Sequence, residues 1–269
     1  MTAKMPLLFV GHGSPMNAIE DNECTRSWKR VGMRITEVWK PRAILAVSAH
    51  WHTRGLRISD AAENRHINDM YGFPEELYRM EYAPKGDPGL AHRVLGMLRQ
   101  SAEVAQAGPI DIDGADWGID HGVWSVLCRM VPGADVPVVM MSVDGRRTPE
   151  QLFAVGRALA PLRDEGVLIL GSGNVVHNLQ RCDFEMGAAG YPEAVAFDQS
   201  VADAVRGGDF ERAADYRRHG DWRLACGPAD HFLPLSVVLG AADGSDEARV
   251  WNQVYQAGAL SMTSCTIGG

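Results

Sequence analysis

The chain has 269 residues, 46% of them hydrophobic and 22% charged, which suits a chain that buries a substantial core and excludes bulk disorder. Lysine and arginine number 26 against 34 aspartates and glutamates. The resulting net charge of −8 leaves no basic excess for nucleic acid or for an anionic membrane surface.

Leu7-Leu8-Phe9-Val10 is a short apolar run closed by Gly11-His12-Gly13-Ser14, the pattern of a buried strand and a turn. Trp28, Val31, Ile35 and Val38 fall at helical spacing and predict a helix over 21–39. Ala43 to Val47 reads as a second buried strand, ending at Ser48-Ala49-His50-Trp51. Asp87-Pro88 opens a helix to about Ser101, with aspartate at the N-cap and proline in the first turn. A further helix covers His121 to Met130, and the β-branched run from Val136 to Val143 is a strand. Thr148-Pro149-Glu150-Gln151 has capping-box spacing; its helix extends to about Asp164, with Gly166 as the stop. Val167 to Leu170 is a strand running into a Gly171-Ser172-Gly173-Asn174 turn. Two or three helices fill 192–240, and 250–257 and 260–267 read as two edge strands joined by a short turn. No linker, repeat or low-complexity tract divides the chain. The expectation is one α/β domain over 1–269, with a mostly parallel central sheet and helices on both faces.

Five cysteines (Cys24, Cys128, Cys182, Cys226 and Cys265) stand far apart with no Cys-x-x-Cys pair, so no zinc ribbon or thioredoxin-like site is expected. Free thiols suit a reducing compartment. Met1 to Pro6 lack the head and apolar stretch of a secretory signal, and no apolar run approaches the roughly 18 residues of a membrane span. A cytoplasmic protein is expected, monomeric or a small homo-oligomer, with no membrane or nucleic-acid partner.

The chemistry is concentrated in histidine. His12 follows the first strand, His50 the second, and His177 the Val167–Leu170 strand. In open α/β sheets ligands bind beyond the carboxyl ends of the strands, so parallel strands would project three imidazoles toward one edge. Imidazole is the commonest metal ligand and the usual acid–base group near neutrality. His52 alternates with His50 and would face away. His66, His92 and His219 read as surface residues. Gly11-His12-Gly13 and Gly171-Ser172-Gly173 both begin like a dinucleotide fingerprint, but Met16 and Val176 stand where the third glycine belongs. There is no His-Glu-x-x-His helix and no Gly-x-Ser-x-Gly elbow.

Five blocks carry a family resemblance: Gly11-His12-Gly13-Ser14-Pro15-Met16, Ser48-Ala49-His50-Trp51, Trp117-Gly118-Ile119-Asp120-His121-Gly122, Gly173-Asn174-Val175-Val176-His177-Asn178 and Asp230-His231-Phe232-Leu233-Pro234. In this order, with Ala259-Leu260-Ser261-Met262 at the end, the chain resembles the LigB-type extradiol ring-cleavage dioxygenases of the DOPA-cleaving subgroup. The resemblance implies O₂-dependent opening of a catechol ring beside its two hydroxyls. It implies a divalent metal on His12, His50 and His231, with His177 as the acid–base histidine or a fourth ligand. It further implies that His121 acts on substrate and that His121 and Ser14 bind it.

The usual ferrous site has two histidines and one carboxylate. An all-histidine set suits iron(II) in the active enzyme, and zinc in a purified sample. Asp230 is the alternative third ligand, although adjacent side chains rarely point the same way. Arg54, Arg57 and Arg65 are candidate partners for a substrate carboxylate. The competing reading is a zinc-dependent hydrolase that uses a metal-bound water.

Overall fold

The protein is described by a computed structural model over residues 4–114 and 116–269. In chain order the first half contains β1 (Leu7–Gly11), α1 (Glu23–Met33), β2 (Ala43–Thr53), β3 (Leu56–Ile58), α2 (Glu75–Tyr78), α3 (Pro88–Gln100), α4 (Ala102–Gln106), β4 (Ile110–Ile112) and α5 (His121–Met130). The second half contains β5 (Val138–Asp144), α6 (Pro149–Leu159), β6 (Val167–Gly173), α7 (Pro192–Arg206), α8 (Phe210–Ala214), α9 (Trp222–Cys226) and α10 (Leu233–Gly240). The tail adds β7 (Ala248–Trp251), β8 (Tyr255–Gln256), β9 (Leu260–Ser261) and β10 (Ser264–Ile267).

Eight strands form one sheet in the order β4-β3-β5-β2-β6-β1-β10-β7. The four central strands, β5, β2, β6 and β1, are mutually parallel. Alternate residues of these strands are buried on opposite faces. Leu7, Phe9, Leu45, Val47, Val139, Met141, Val167 and Ile169 pack under α3, α6, α7, α8 and α10. Leu8, Val10, Ile44, Ala46, Val138, Met140, Leu168 and Leu170 pack under α1 and α5. Two covered faces explain why these strands read as continuous apolar runs and not as alternating ones. The α/β architecture with helices on both faces is therefore as expected. No helix among the described residues is long and apolar enough to cross a membrane.

The capping signals hold in detail. Thr148 and Gln151 cap each other at the start of α6, and Asp87 accepts the Leu90 N–H at 2.9 Å at the start of α3. The 21–39 helix differs from expectation. It runs as α1 to Met33, then widens into a π-type turn that ends at left-handed Lys40 (φ 47°). The wider turn rotates Val38 out to 65% exposure and puts Trp39 inside.

Two strands run further than expected, and both matter to the site. β6 continues through the Gly171-Ser172-Gly173 segment, paired with β1 up to Gly11↔Gly173. β2 continues to Thr53, but five positions along β2, from Val47 to His52, match only two on β5. His50 therefore lies in an irregular stretch inside the strand and not after it, and such bulges re-aim side chains. The tail is also more broken than expected. β10 lies between β1 and β7, antiparallel to both, while β8 and β9 form a separate ribbon. Positive φ at Asn252 (56°), Ala257 (50°) and Gly258 (74°) interrupts the run.

Candidate metal centre

Five of the nine histidines meet at the carboxyl end of the parallel strands. His12 leaves β1 with its N–H on the Gly173 carbonyl at 3.0 Å. Its Nδ1 lies 3.0 Å from Ser172 Oγ, and Ser172 donates its own proton to the Gly122 carbonyl. A hydroxyl that donates elsewhere must accept here, so His12 carries its proton on Nδ1 and leaves Nε2 bare. His50 has Nδ1 3.4 Å from Asp69 Oδ2, which favours the same tautomer. The two Nε2 atoms then stand 3.1 Å apart. Two nitrogens bound to one ion at about 2.1 Å, on an octahedral or tetrahedral edge, would stand about 3.0–3.4 Å apart.

His231 completes the group. Gly173 is the enabling residue: a Cβ there would lie 2.1 Å from the His231 carbonyl oxygen, which also accepts the Asn174 N–H at 2.9 Å. His231 is buried, and neither ring nitrogen has a hydrogen-bond partner among the described residues. Its Nδ1 is 3.2 Å from Asp230 Oδ1, but that oxygen accepts the backbone N–H of His231 instead, at 2.9 Å. A buried imidazole with both nitrogens unmet is costly unless a ligand supplies the missing partner. One potential ligand atom from each of His12, His50 and His231 lies within 4.8 Å of the others. The residues fit a divalent ion.

His177 and His121 flank this trio. The His177 ring lies face to face with that of His231, centroids 3.4 Å apart and planes within 5°. The His177 segment is held by its backbone N–H on the Ala225 carbonyl and by the tail, where the Ser261 N–H donates to the Val176 carbonyl. His121 is the first residue of α5, capped by Asp120, and its ring centroid is 3.9 Å from that of His50. Asp69 accepts both the backbone N–H of His121 at 2.8 Å and its Nδ1–H at 2.9 Å. That leaves His121 Nε2 bare as well.

The loop that delivers Asp69 is strapped to the approach of α5. The Ile67 N–H donates to the Ile119 carbonyl and the Ile119 N–H to the Arg65 carbonyl, Trp124 Nε1 donates to the Ile67 carbonyl, and a Cβ on Gly118 would lie 2.2 Å from the Arg65 carbonyl oxygen. Asp120 is fully buried and accepts from Ser48 Oγ (2.8 Å), Trp117 Nε1 (3.0 Å) and the Val123 N–H (3.2 Å). Neither Asp69 nor Asp120 was singled out by sequence reasoning. Asp120 carried a signal, standing at the N-cap of a helix that begins with a site histidine; Asp69 lies in a long polar loop without one.

Burial sets the electrostatics. It drives His12 and His231 far below the ordinary imidazole range, helped by the neighbouring rings. Burial likewise brings His50 down to about 3 and His177 to about 4. These imidazoles are neutral at pH 7, the form that ligates a metal. Burial raises Asp120 to about 6, with the Asp69 charge adding to it. Burial also opposes the Asp69 charge, yet the bonds from His121 hold that carboxyl below its usual range.

The remaining sequence candidates separate. Ser14 Oγ accepts the Met16 N–H at 3.3 Å, and the Ser14 backbone N–H donates to Gln256. His92 is exposed, as expected. His66 is half-buried against Trp124, and His219 is buried between Ser200 Oγ and the Arg212 carbonyl. The reading of His219 as a surface residue is corrected, because the helix pair α7–α8 closes over it. The five cysteines are unpaired.

The profile of a family described as the catalytic LigB subunit of aromatic ring-opening dioxygenase matches residues 6–265. The chain belongs to this family. It is an extradiol ring-cleaving dioxygenase, of a metal-dependent class. It is 40% identical to a 4,5-DOPA dioxygenase extradiol of Escherichia coli K12, over 99% of this chain and 96% of that one. It is 35% identical to a protein of the same name from Beta vulgaris, over 95% of this chain and 94% of that one. A solved structure of an uncharacterized Escherichia coli K12 protein superimposes with a TM-score of 0.81 at 37% identity, covering 98% of this chain and all of the other.

Proposed function

We propose that residues 1–269 act as one catalytic domain that opens a DOPA-like catechol beside its two hydroxyls, using both atoms of O₂. The metal would be held by His12, His50 and His231. The observation that carries this reading is the pairing of the His12 and His50 Nε2 atoms, 3.1 Å apart, with a buried His231 whose ring nitrogens have no partner among the described residues. When bound, the ion would hold catechol and O₂ together and let electrons pass from ring to oxygen. Ferrous iron is the proposed native ion, and the neutral ligand set would also accept zinc.

The chain's own groups handle protons and position. His121 offers a bare Nε2 as base, and the Asp69 carboxylate at 2.9 Å from its Nδ1 stabilises the imidazolium that forms. His177 faces a cavity of about 540 Å³ and is the second proton carrier there. His121 and Ser14 are proposed to contact substrate, and the names of the relatives motivate the DOPA-like choice.

Oxygen uptake per catechol converted, measured on iron-loaded protein, tests the reaction. One O₂ per catechol is expected, with a yellow ring-opened semialdehyde as product. Conversion that continues unchanged under nitrogen would overturn the dioxygenase reading in favour of the hydrolase.

A further inference from the structure

The cavity beside His177 and His231 has two unlike ends. Its buried end is lined by His231, Asp230 and His177; its exposed end is lined by Arg223, Leu179 and Gln180. Arg223 is the arginine that lines this cavity. Arg181 pairs with Glu193, Arg217 with Asp215, and Arg163 with Asp246. Arg223 forms no ion pair among the described residues, although Asp230 lies on the same cavity. Its guanidinium is nonetheless held in place, stacked over the Trp222 ring at 4.4 Å, and Trp222 rests on Tyr216 at 4.9 Å. An anchored guanidinium with uncompensated charge is set to receive a carboxylate in a forked, charge-assisted contact.

Of Arg54, Arg57 and Arg65, the last two are engaged otherwise. Arg57 pairs with Asp111, and Arg65 donates to the Asp116 carbonyl.

We infer that Arg223 is a specificity-determining residue that binds a carboxylate on the side chain of the catechol. The inference rests on the catechol reading above. With the two hydroxyls at the imidazole end, a substituent para to one of them points away from the metal centre and along the cavity. Leu179 and Arg223 both line that cavity on its exposed side. A neutral alkylcatechol would fill the same ring position and leave the guanidinium unmet.

The test compares two ligands of similar size, 3,4-dihydroxyphenylpropanoate and 4-ethylcatechol, in anaerobic calorimetric titrations of zinc-loaded protein. The wild type should bind the carboxylate about 10- to 100-fold more tightly, the range for one charge-assisted hydrogen-bonding contact. Arg223→Gln should shrink that ratio to less than about twofold, and Arg223→Lys should restore part of it. In turnover with iron, the loss for the carboxylate substrate should be carried by KM. A ratio that survives Arg223→Gln, equal weakening of both ligands, or a wild type that binds neither would overturn the inference. If Arg223 governs the ratio but the iron-loaded wild type consumes no O₂ with either catechol, the dioxygenase reading falls and the Arg223 assignment stands. If both are cleaved without an Arg223-dependent ratio, the reverse holds.

Discussion

The histidines reach their common point from two kinds of support. His12 and His50 sit on or just beyond the parallel strands β1 and β2, each with its Nδ1 beside one oxygen, Ser172 Oγ or Asp69 Oδ2. His177 and His231 sit on loops, held by backbone bonds to Ala225, Asn174 and the C-terminal tail. Ser172 sets the tautomer of His12, and Asp69 favours the same one in His50. The loop pair stacks ring on ring, and both His231 nitrogens are unmet among the described residues. The difference points to a division of labour: the strands define half of a metal site rigidly, and the loops bring in the group whose position depends on distant segments.

The largest effects should come from the proposed ligands. His12→Ala and His50→Ala should each abolish stoichiometric metal in a folded protein, with a larger loss of affinity than the roughly 10–100-fold cost of removing an outer hydrogen-bond partner. His231→Ala should do the same; full metal retention there would promote Asp230. The cluster also makes the metal-free protein acid-labile. His50 and His177 sit at about 3 and 4, below the ordinary 6.5 that they regain on unfolding. The unfolded chain therefore binds more protons across that window. Stability should be complete above about pH 6.5 and should fall progressively toward pH 4 and below. A midpoint of thermal unfolding that does not move between pH 7 and pH 5 would contradict the neutral cluster.

Next come the flanking histidines. His121→Ala and His177→Ala should lower turnover by about 10²–10⁴-fold, as general acid–base losses do, with metal content kept. Metal loss in His177→Ala would move that residue into the ligand set and shift the comparison, making the loops the larger contributor.

The outer partners should matter less, and they test whether the strand half owes its order to tautomer control. Ser172→Ala removes the acceptor that keeps the His12 proton on Nδ1, and Asp69→Asn removes the carboxylate shared by His50 and His121. Each should weaken metal binding by about 10–100-fold, read by competition with a chelator. Asp69→Asn should also lower turnover in metal-saturated protein, because His121 loses the group that stabilises its imidazolium.

What the sequence disclosed follows the same division. The central strands are legible because each is a continuous apolar run, and the histidines at their ends inherit that legibility. The caps at Asp87 and Thr148 are local and chemical, so those helix starts are readable. The β2 irregularity that aims His50 is a relation between two strands and leaves no local mark. β3 and β4 are three residues each, too short to show a period. Asp69 reaches the site only through the strap between the segment around Ile67 and Ile119. Arg223 depends on α9 facing the loop after His177. Such contacts join residues far apart in the chain, and no spacing within one segment encodes them.

The smallest effect is the most direct probe of the two supports. Gly173 and Gly122 both lie against the histidines, but they meet different things. A Cβ on Gly173 would stand 2.1 Å from the backbone carbonyl of His231, and backbone held by the Asn174 N–H has little freedom to retreat. A Cβ on Gly122 would stand 2.7 Å from Cδ2 of the His50 ring and 3.3 Å from Cε1 of His12. Gly173→Ala should therefore displace the His231 loop from β6, at about 1–3 kcal/mol of stability, the usual cost of overpacking. Its metal affinity should fall with it, since His231 moves as a unit with its carbonyl. Gly122→Ala should cost less stability, because a ring can tilt, but it should perturb the His12–His50 pair that has no backbone slack to lend. Denaturation midpoints and chelator competition on both variants give the comparison. Gly122→Ala losing more stability than Gly173→Ala would reverse the assignment of rigid and dependent halves.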